Sequence, residues 1–272
     1  MYDNTCKFLA ENFPEDFASW LLGKSIPLTK LETSELSAEP IRADSVIFLE
    51  SSEIVVHLEF QTKTDDTMAY RMANYWLRLY GKYPNKEIHQ TVIYLKPTKS
   101  PLAYQTSFKS NQLNHEFNVV RLWEQPTDIF RQYLGLLPLA VLTQTSNPEE
   151  TLRDVARQID HIADKQVQSN VAASTAIISG IALDKEIIQR LLRSEIMKES
   201  VIYQDILLEG EAKGKAETAR QIALNMLLSN VSTDLVAQFT GLTLKQVQQL
   251  QKLSTKQPKM PKSSKIKRSQ IS

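Results

Sequence analysis

Between residues 42 and 80 the apolar period of this sequence switches from two residues to between three and four, so strands give way to a helix. Residues 42–49 and 53–61 have strand character, and Glu50-Ser51-Ser52-Glu53 between them reads as a turn, which makes a hairpin. From Asp65 onward Met68, Met72, Tyr75, Trp76 and Leu79 fall at helical spacing, opened by Thr64 or Asp65 and closed by Gly81. Residues 88–95 and 117–123 read as further strands. Two short helices precede the hairpin: Pro14 fits a first helical turn, Glu15 and Asp16 suit its positive end, and Gly23 stops it, leaving Phe13, Phe17, Trp20 and Leu21 as the apolar face. This order predicts an α/β fold, a small central mixed β-sheet flanked by helices, over residues 1–140.

Past Pro126 strand signals vanish, and Asn147-Pro148-Glu149-Glu150 combines a capping side chain, a proline at the first helical position and two acids. A helical extension over 141–208 is expected. The run EGEAKGKAE inside 209–220 is charged, contains Gly210 and Gly214, and reads as a solvated helix or linker. Residues 221–255 then resemble a helix-turn-helix, with Thr240-Gly241-Leu242-Thr243 as the turn and Leu244, Val247 and Leu250 on the second helix. That unit either packs or dimerises, or else reads DNA by offering Lys245, Gln246, Gln248 and Gln249 to a groove. The tail, 256–272, carries five lysines and Arg268 with no acid, and reads as a disordered arm that either touches phosphates or only solubilises.

Composition narrows the function classes. Cys6 is the one cysteine, which excludes an internal disulfide, and His57, His89, His115 and His161 lack ligand spacing for zinc. Asp3 and Glu11 interrupt the beginning where a secretory signal would be basic and then apolar, and the most apolar later stretch, 171–183, is shorter than the ~20 residues of a membrane crossing. A cytoplasmic location with no membrane partner is expected. The formal charge of +1 neither favours nor excludes nucleic acid, because a balanced total can conceal a basic face.

The chemistry lies on the hairpin. Alternation puts His57, Glu59, Gln61 and Lys63 on one strand face and Val56, Leu58 and Phe60 on the other. A turn centred between Ser51 and Ser52 sets Leu49 opposite Ile54 and Asp44 opposite Glu59, with Cβ atoms about 4.5–5.5 Å apart. Two carboxylates that close repel unless a cation lies between them, and Mg²⁺ is the usual answer where phosphate is the substrate. The same spacing fits two solvated acids on an open sheet face. On the following helix Arg71, Asn74, Tyr75 and Arg78 share one side, which either faces DNA phosphates or forms a charged solvent face.

Asp44, an apolar strand, and then Glu59-Phe60-Gln61 resemble the acid and Glu-x-Lys pattern of the PD-(D/E)XK nuclease superfamily, in the Gln-ending variant of the Rpn family of recombination-promoting nucleases and transposase-like proteins. DNTCKFLAENFPEDFASWLLG, IRADSVIFLE, VVHLEFQT and YRMANYWLRLY follow in that family's order, and Arg71 with Tyr75 matches its Arg-x-x-x-Tyr feature. The resemblance covers residues 1–140 and implies a restriction-endonuclease-like core and a Mg²⁺- or Mn²⁺-dependent DNA endonuclease linked to recombination or mobile elements. It implies Asp44, Glu59 and the Phe60 carbonyl as metal ligands, Asp44, Glu59 and Gln61 as catalytic, and Glu11 as an additional acid. Gln61 departs from the superfamily lysine, since an amide orients water but cannot offset negative charge. Lys63 either supplies that charge or is a solvated strand end. Paired cuts imply a homodimer. The alternative is a DNA-binding or assembly protein that keeps the fold without turnover; a third, a helical interaction protein unrelated to nucleic acid, requires the hairpin acids to be solvated.

Overall fold

A computed structural model describes residues 2–31, 46–192, 194–197, 199–229 and 231–254, and the chain divides into two units, Met1–Ile206 and Leu207–Ser272. Asp44 and the basic tail lie outside the described residues.

The first unit opens with α1 (Tyr2–Asn12) and α2 (Pro14–Leu22), which ends at Gly23 as its sequence demands. Strands β1 (Thr29–Lys30), β2 (Val46–Glu50) and β3 (Ile54–Gln61) follow, then α3 (Met68–Lys82) and β4 (Glu87–Tyr94). A small hairpin, β5 (Ser107–Lys109) and β6 (Asn114–Glu116), precedes β7 (Asn118–Arg121). Helices α4 (Thr127–Phe130), α5 (Pro148–Asp160), α6 (Lys165–Ser179), α7 (Lys185–Leu191) and α8 (Ser194–Met197) complete the unit. The expected α/β class with a mixed sheet is observed: five strands in the order β1-β2-β3-β4-β7, antiparallel from β1 to β3 and parallel from β3 to β7. Helix α3 is the crossover that a parallel neighbour requires.

Both faces of β3 are covered. Ile54, Val56, Leu58 and Phe60 join Leu9, Phe17, Leu139 and Leu152 in the main core, under α1, α2, α5 and α6. On the other face Val55 packs with Phe48, Tyr75 and Leu79, while Val92 and Tyr94 of β4 meet Met68 and Met72 of α3. The alternation expected for β3 is therefore present, but its polar face lies beneath a helix and not in solvent.

The hairpin register corrects the expectation. Val46, not Asp44, lies opposite Glu59, and Leu49 lies opposite Val56. The cause is Ser51: its hydroxyl accepts from the Glu53 and Ile54 amides at 3.3 and 3.2 Å, while its own amide donates to the Ile54 carbonyl at 3.0 Å. Serine side chains compete for turn amides in this way, and here that moves the turn centre by one residue. Cross-strand partners consequently shift by two positions, which keeps every side chain on its expected face.

Helix α3 begins at Met68, later than a cap at Thr64 or Asp65 implies, because the Asp65 carboxylate accepts from the Thr67 amide at 2.8 Å and from the Thr67 hydroxyl at 2.7 Å in a separate turn. Gly81 does not stop the helix. The β5–β6 hairpin was not expected at all; its strands are three residues each and too polar to show alternation.

Close packing fixes Gly135, between α4 and the turn at Leu137–Leu142. Its amide donates to Asp16 Oδ2 at 2.8 Å, and a Cβ there would lie 2.3 Å from Phe13 Cβ, an atom that cannot swing aside. Gly135→Ala is expected to destabilise the protein by about 1–3 kcal/mol, the usual range for overpacking, measured as a lower urea midpoint at unchanged slope.

The division between units falls within a continuous helix, α9 (Val201–Leu228), which contains the glycine-bearing charged run. In the second unit α10 (Thr233–Thr240) and α11 (Leu244–Ser254) are joined by a turn whose Gly241 adopts φ +71°, a left-handed conformation that glycine takes without strain. Ala223, Val236, Val247 and Leu250 form its core. Helix α11 leaves Lys245, Gln246, Gln248 and Gln249 exposed.

Candidate active site

Glu59 sits near the end of β3 that is remote from the turn, and its side chain has no solvent exposure. Removing a carboxylate from water is costly unless it is paired and hydrogen-bonded. Arg71 of α3 provides the pairing, with Nη2 donating to Glu59 Oε1 at 2.7 Å. The guanidinium also reaches Asp65 Oδ2 at 3.3 Å. Burial works against the Arg71 charge, but Glu59, Tyr75 and Asp65 together outweigh it and raise the pKa above its usual value. For Tyr75, burial and then the Glu59 charge push the phenol pKa upward. Gln61 extends its amide to Glu59 Oε2 at 3.4 Å. Glu59, Gln61, Arg71 and Tyr75, expected to act together, are thus neighbours across the β3–α3 layer.

Phe60 points the other way, its ring in the core at 6.1 Å from Phe17, edge to face. The Glu53 and Gln61 carbonyls accept from β4 residues Glu87 and Leu95, and carbonyls alternate along a strand, so that of Phe60 is directed to the β2 side. Lys63 lies beyond the end of β3, in a bend, and is exposed. Glu11 is on α1, across the sheet from α3, and pairs with Lys30 at 3.2 Å, so it is not brought to Glu59. Arg78 is turned to Asn74 Oδ1 at 3.2 Å.

Three further residues belong to this network. His57 is fully buried between Phe48 and Tyr75, with ring centroids 4.8 and 5.2 Å away. Gln90 of β4 donates to the Met72 carbonyl at 2.9 Å, and the same nitrogen stands 2.8 Å from His57 Nδ1. A carbonyl only accepts, so that nitrogen is the amide NH₂, His57 Nδ1 accepts, and the ring proton lies on Nε2. The Gln90 oxygen takes a hydrogen bond from His115 Nε2 at 2.7 Å. Burial lowers the pKa of His57 despite the nearby Glu59 carboxylate, and burial likewise lowers that of His115. His57 is visible in the sequence as a member of the polar face of β3. Gln90 and His115 carry no such signal, because their place depends on the parallel register that sets His57 beside Gln90.

Among the described residues no three His, Cys, Asp or Glu side chains gather as a metal cluster, and Asp44 lies outside them. Within the same residues no helix is long and apolar enough to cross a membrane. No protein-family model, no curated protein and no solved structure matches this chain.

Proposed function

We propose that this chain is a Mg²⁺-dependent DNA endonuclease of the PD-(D/E)XK type, related to the Rpn nucleases, with Glu59 as its central acid. The observation that carries this reading is a fully buried glutamate on the second strand of a hairpin, held by an arginine from the crossover helix. A carboxylate in that position costs stability that an apolar residue would not, and such groups concentrate at functional sites. The sequence of hairpin, crossover helix and parallel strand supports the same reading.

The donor set suits a hard divalent cation. Glu59 Oε2 and the Phe60 carbonyl are oxygen donors on adjacent residues of β3, and Asp44 lies two residues along the chain from Val46, the partner of Glu59. Mg²⁺ or Mn²⁺ bound by Asp44, Glu59 and Phe60 would supply an activated water and offset charge on the phosphate. The protein's own groups do the rest. Arg71 fixes the Glu59 carboxylate from its Oε1 side, and Gln61 orients the attacking water through its amide. The positive charge that Gln61 lacks is brought by Arg71, whose side chain is 21% exposed. Tyr75 braces that guanidinium. DNA is the proposed substrate and a homodimer the proposed state, since paired cuts need two sites.

A second reading, a DNA-binding or assembly protein without turnover, is favoured by one observation: α11 exposes Lys245, Gln246, Gln248 and Gln249 beyond a tight turn, the side-chain types that contact base edges. Plasmid cleavage separates the two. Wild type is expected to nick DNA with Mg²⁺ and not with EDTA, and Glu59→Gln and Asp44→Ala, with folding verified by circular dichroism, to lose roughly 100-fold or more. Equal inactivity of wild type and variants across metals, with DNA bound at full affinity in EDTA, would move the conclusion to the second reading.

A further inference from the structure

His57 holds a donor that its surroundings do not use. Its Nδ1 side is satisfied by Gln90, yet Nε2, which carries the proton, is buried and among the described residues has no hydrogen-bond partner. A buried donor left unmade loses its hydration without a replacement bond. Packing against Phe48 and Tyr75 does not require it, since an aromatic ring without nitrogen would fill the same space. Glu59 Oε1 stands 3.9 Å from Nε2. That gap exceeds hydrogen-bond length by about 1 Å and is too short to admit a bridging water.

We infer that His57 is a positioning residue for Glu59, its Nε2–H being the neutral donor that holds Oε1 once a divalent cation is bound on the Oε2 side. The inference rests on the reading of Glu59 as a cation ligand. Its physical basis is the difference in charge between Arg71 and His57, both of which face Oε1. Arg71 is cationic, and a second cation at the same carboxylate repels it, weakening the 2.7 Å contact. His57 carries no charge to be repelled, because the Gln90 amide donates to Nδ1 and leaves that nitrogen unprotonated. As Arg71 moves toward a phosphate, a shift of about 1 Å closes the His57 contact. Gln90 and His115 prepare that contact from behind: by fixing Nδ1 as an acceptor they fix the proton on Nε2, as the outer partners of metal-ligand histidines and carboxylates commonly do.

Two measurements on the full chain test this. In metal-free protein, nitrogen-15 NMR should show His57 neutral with its proton on Nε2, and Glu59→Gln should move that resonance. Calorimetric titration with Mn²⁺ alone should then show affinity falling about 10-fold in His57→Leu, while His57→Gln, which keeps an N–H near the position of Nε2, stays close to wild type. A proton on Nδ1, or an Nε2–H signal indifferent to Glu59→Gln, overturns the inference. So does Mn²⁺ affinity unchanged in His57→Leu, or lost equally in both variants, which would mark a merely structural ring. Wild type that binds no Mn²⁺ defeats the nuclease reading instead, and the contact between His57 and Glu59 is then decided by the NMR result.

Discussion

Arg71→Met should lower the folding free energy by about 3–5 kcal/mol, the range for a buried ion pair broken on one side. Glu59 has no exposure and Arg71 only 21%, so water cannot replace the guanidinium at the carboxylate without opening the β3–α3 layer. Methionine retains the apolar stem that packs along α3, and the loss therefore reports charge and not volume. The pair is tested by adding Glu59→Gln to Arg71→Met: a buried amide costs far less than an unpaired carboxylate, and the double variant should regain most of the lost stability. Urea denaturation at neutral pH measures both. If Arg71→Met costs less than about 1 kcal/mol, the value of a solvated surface pair, Glu59 must be compensated by another group and the site is organised differently.

Truncating Phe60 should cost a similar amount by an unrelated mechanism. Phe60 is 1% exposed and sits edge to face with Phe17 of α2, beneath the same strand that holds Glu59 on its upper side. Phe60→Ala removes that pair and leaves a cavity between sheet and helix, an expected loss of about 3–5 kcal/mol. Phe60→Leu should lose less, since most of the volume remains. The proposed cation ligand at this residue is the main-chain carbonyl, which both substitutions keep. Per folded molecule, the Mg²⁺ concentration for half-maximal cleavage should therefore be unchanged in Phe60→Leu. A large shift in that concentration without a matching loss of stability would show that the side chain orients the ligand set.

The hairpin and the helix after it were legible because the relevant signals are local. Alternation from Val55 to Gln61 assigns faces whatever the strand pairs with, and the spacing of Met68, Met72, Tyr75 and Leu79 assigns the buried side of α3 in the same way. The register departs from the apolar pattern by one turn position because the competing bonds of the Ser51 hydroxyl leave no trace in that pattern. Parity survived the error, and so Glu59 was on the expected face although its cross-strand partner is Val46.

The sequence by itself determined which side chains share a face of β3 and which elements flank it, since side-chain direction follows from backbone period alone. Only the tertiary structure decided what that face meets. Whether Glu59 ends in solvent or under a helix depends on where α3 lies, and whether His57 finds Gln90 depends on the parallel pairing of β3 with β4. These contacts join residues far apart in sequence, where no period connects them. The fate of a buried charge is settled there, because a carboxylate's energy depends on the partner and the water around it and not on its place in the chain.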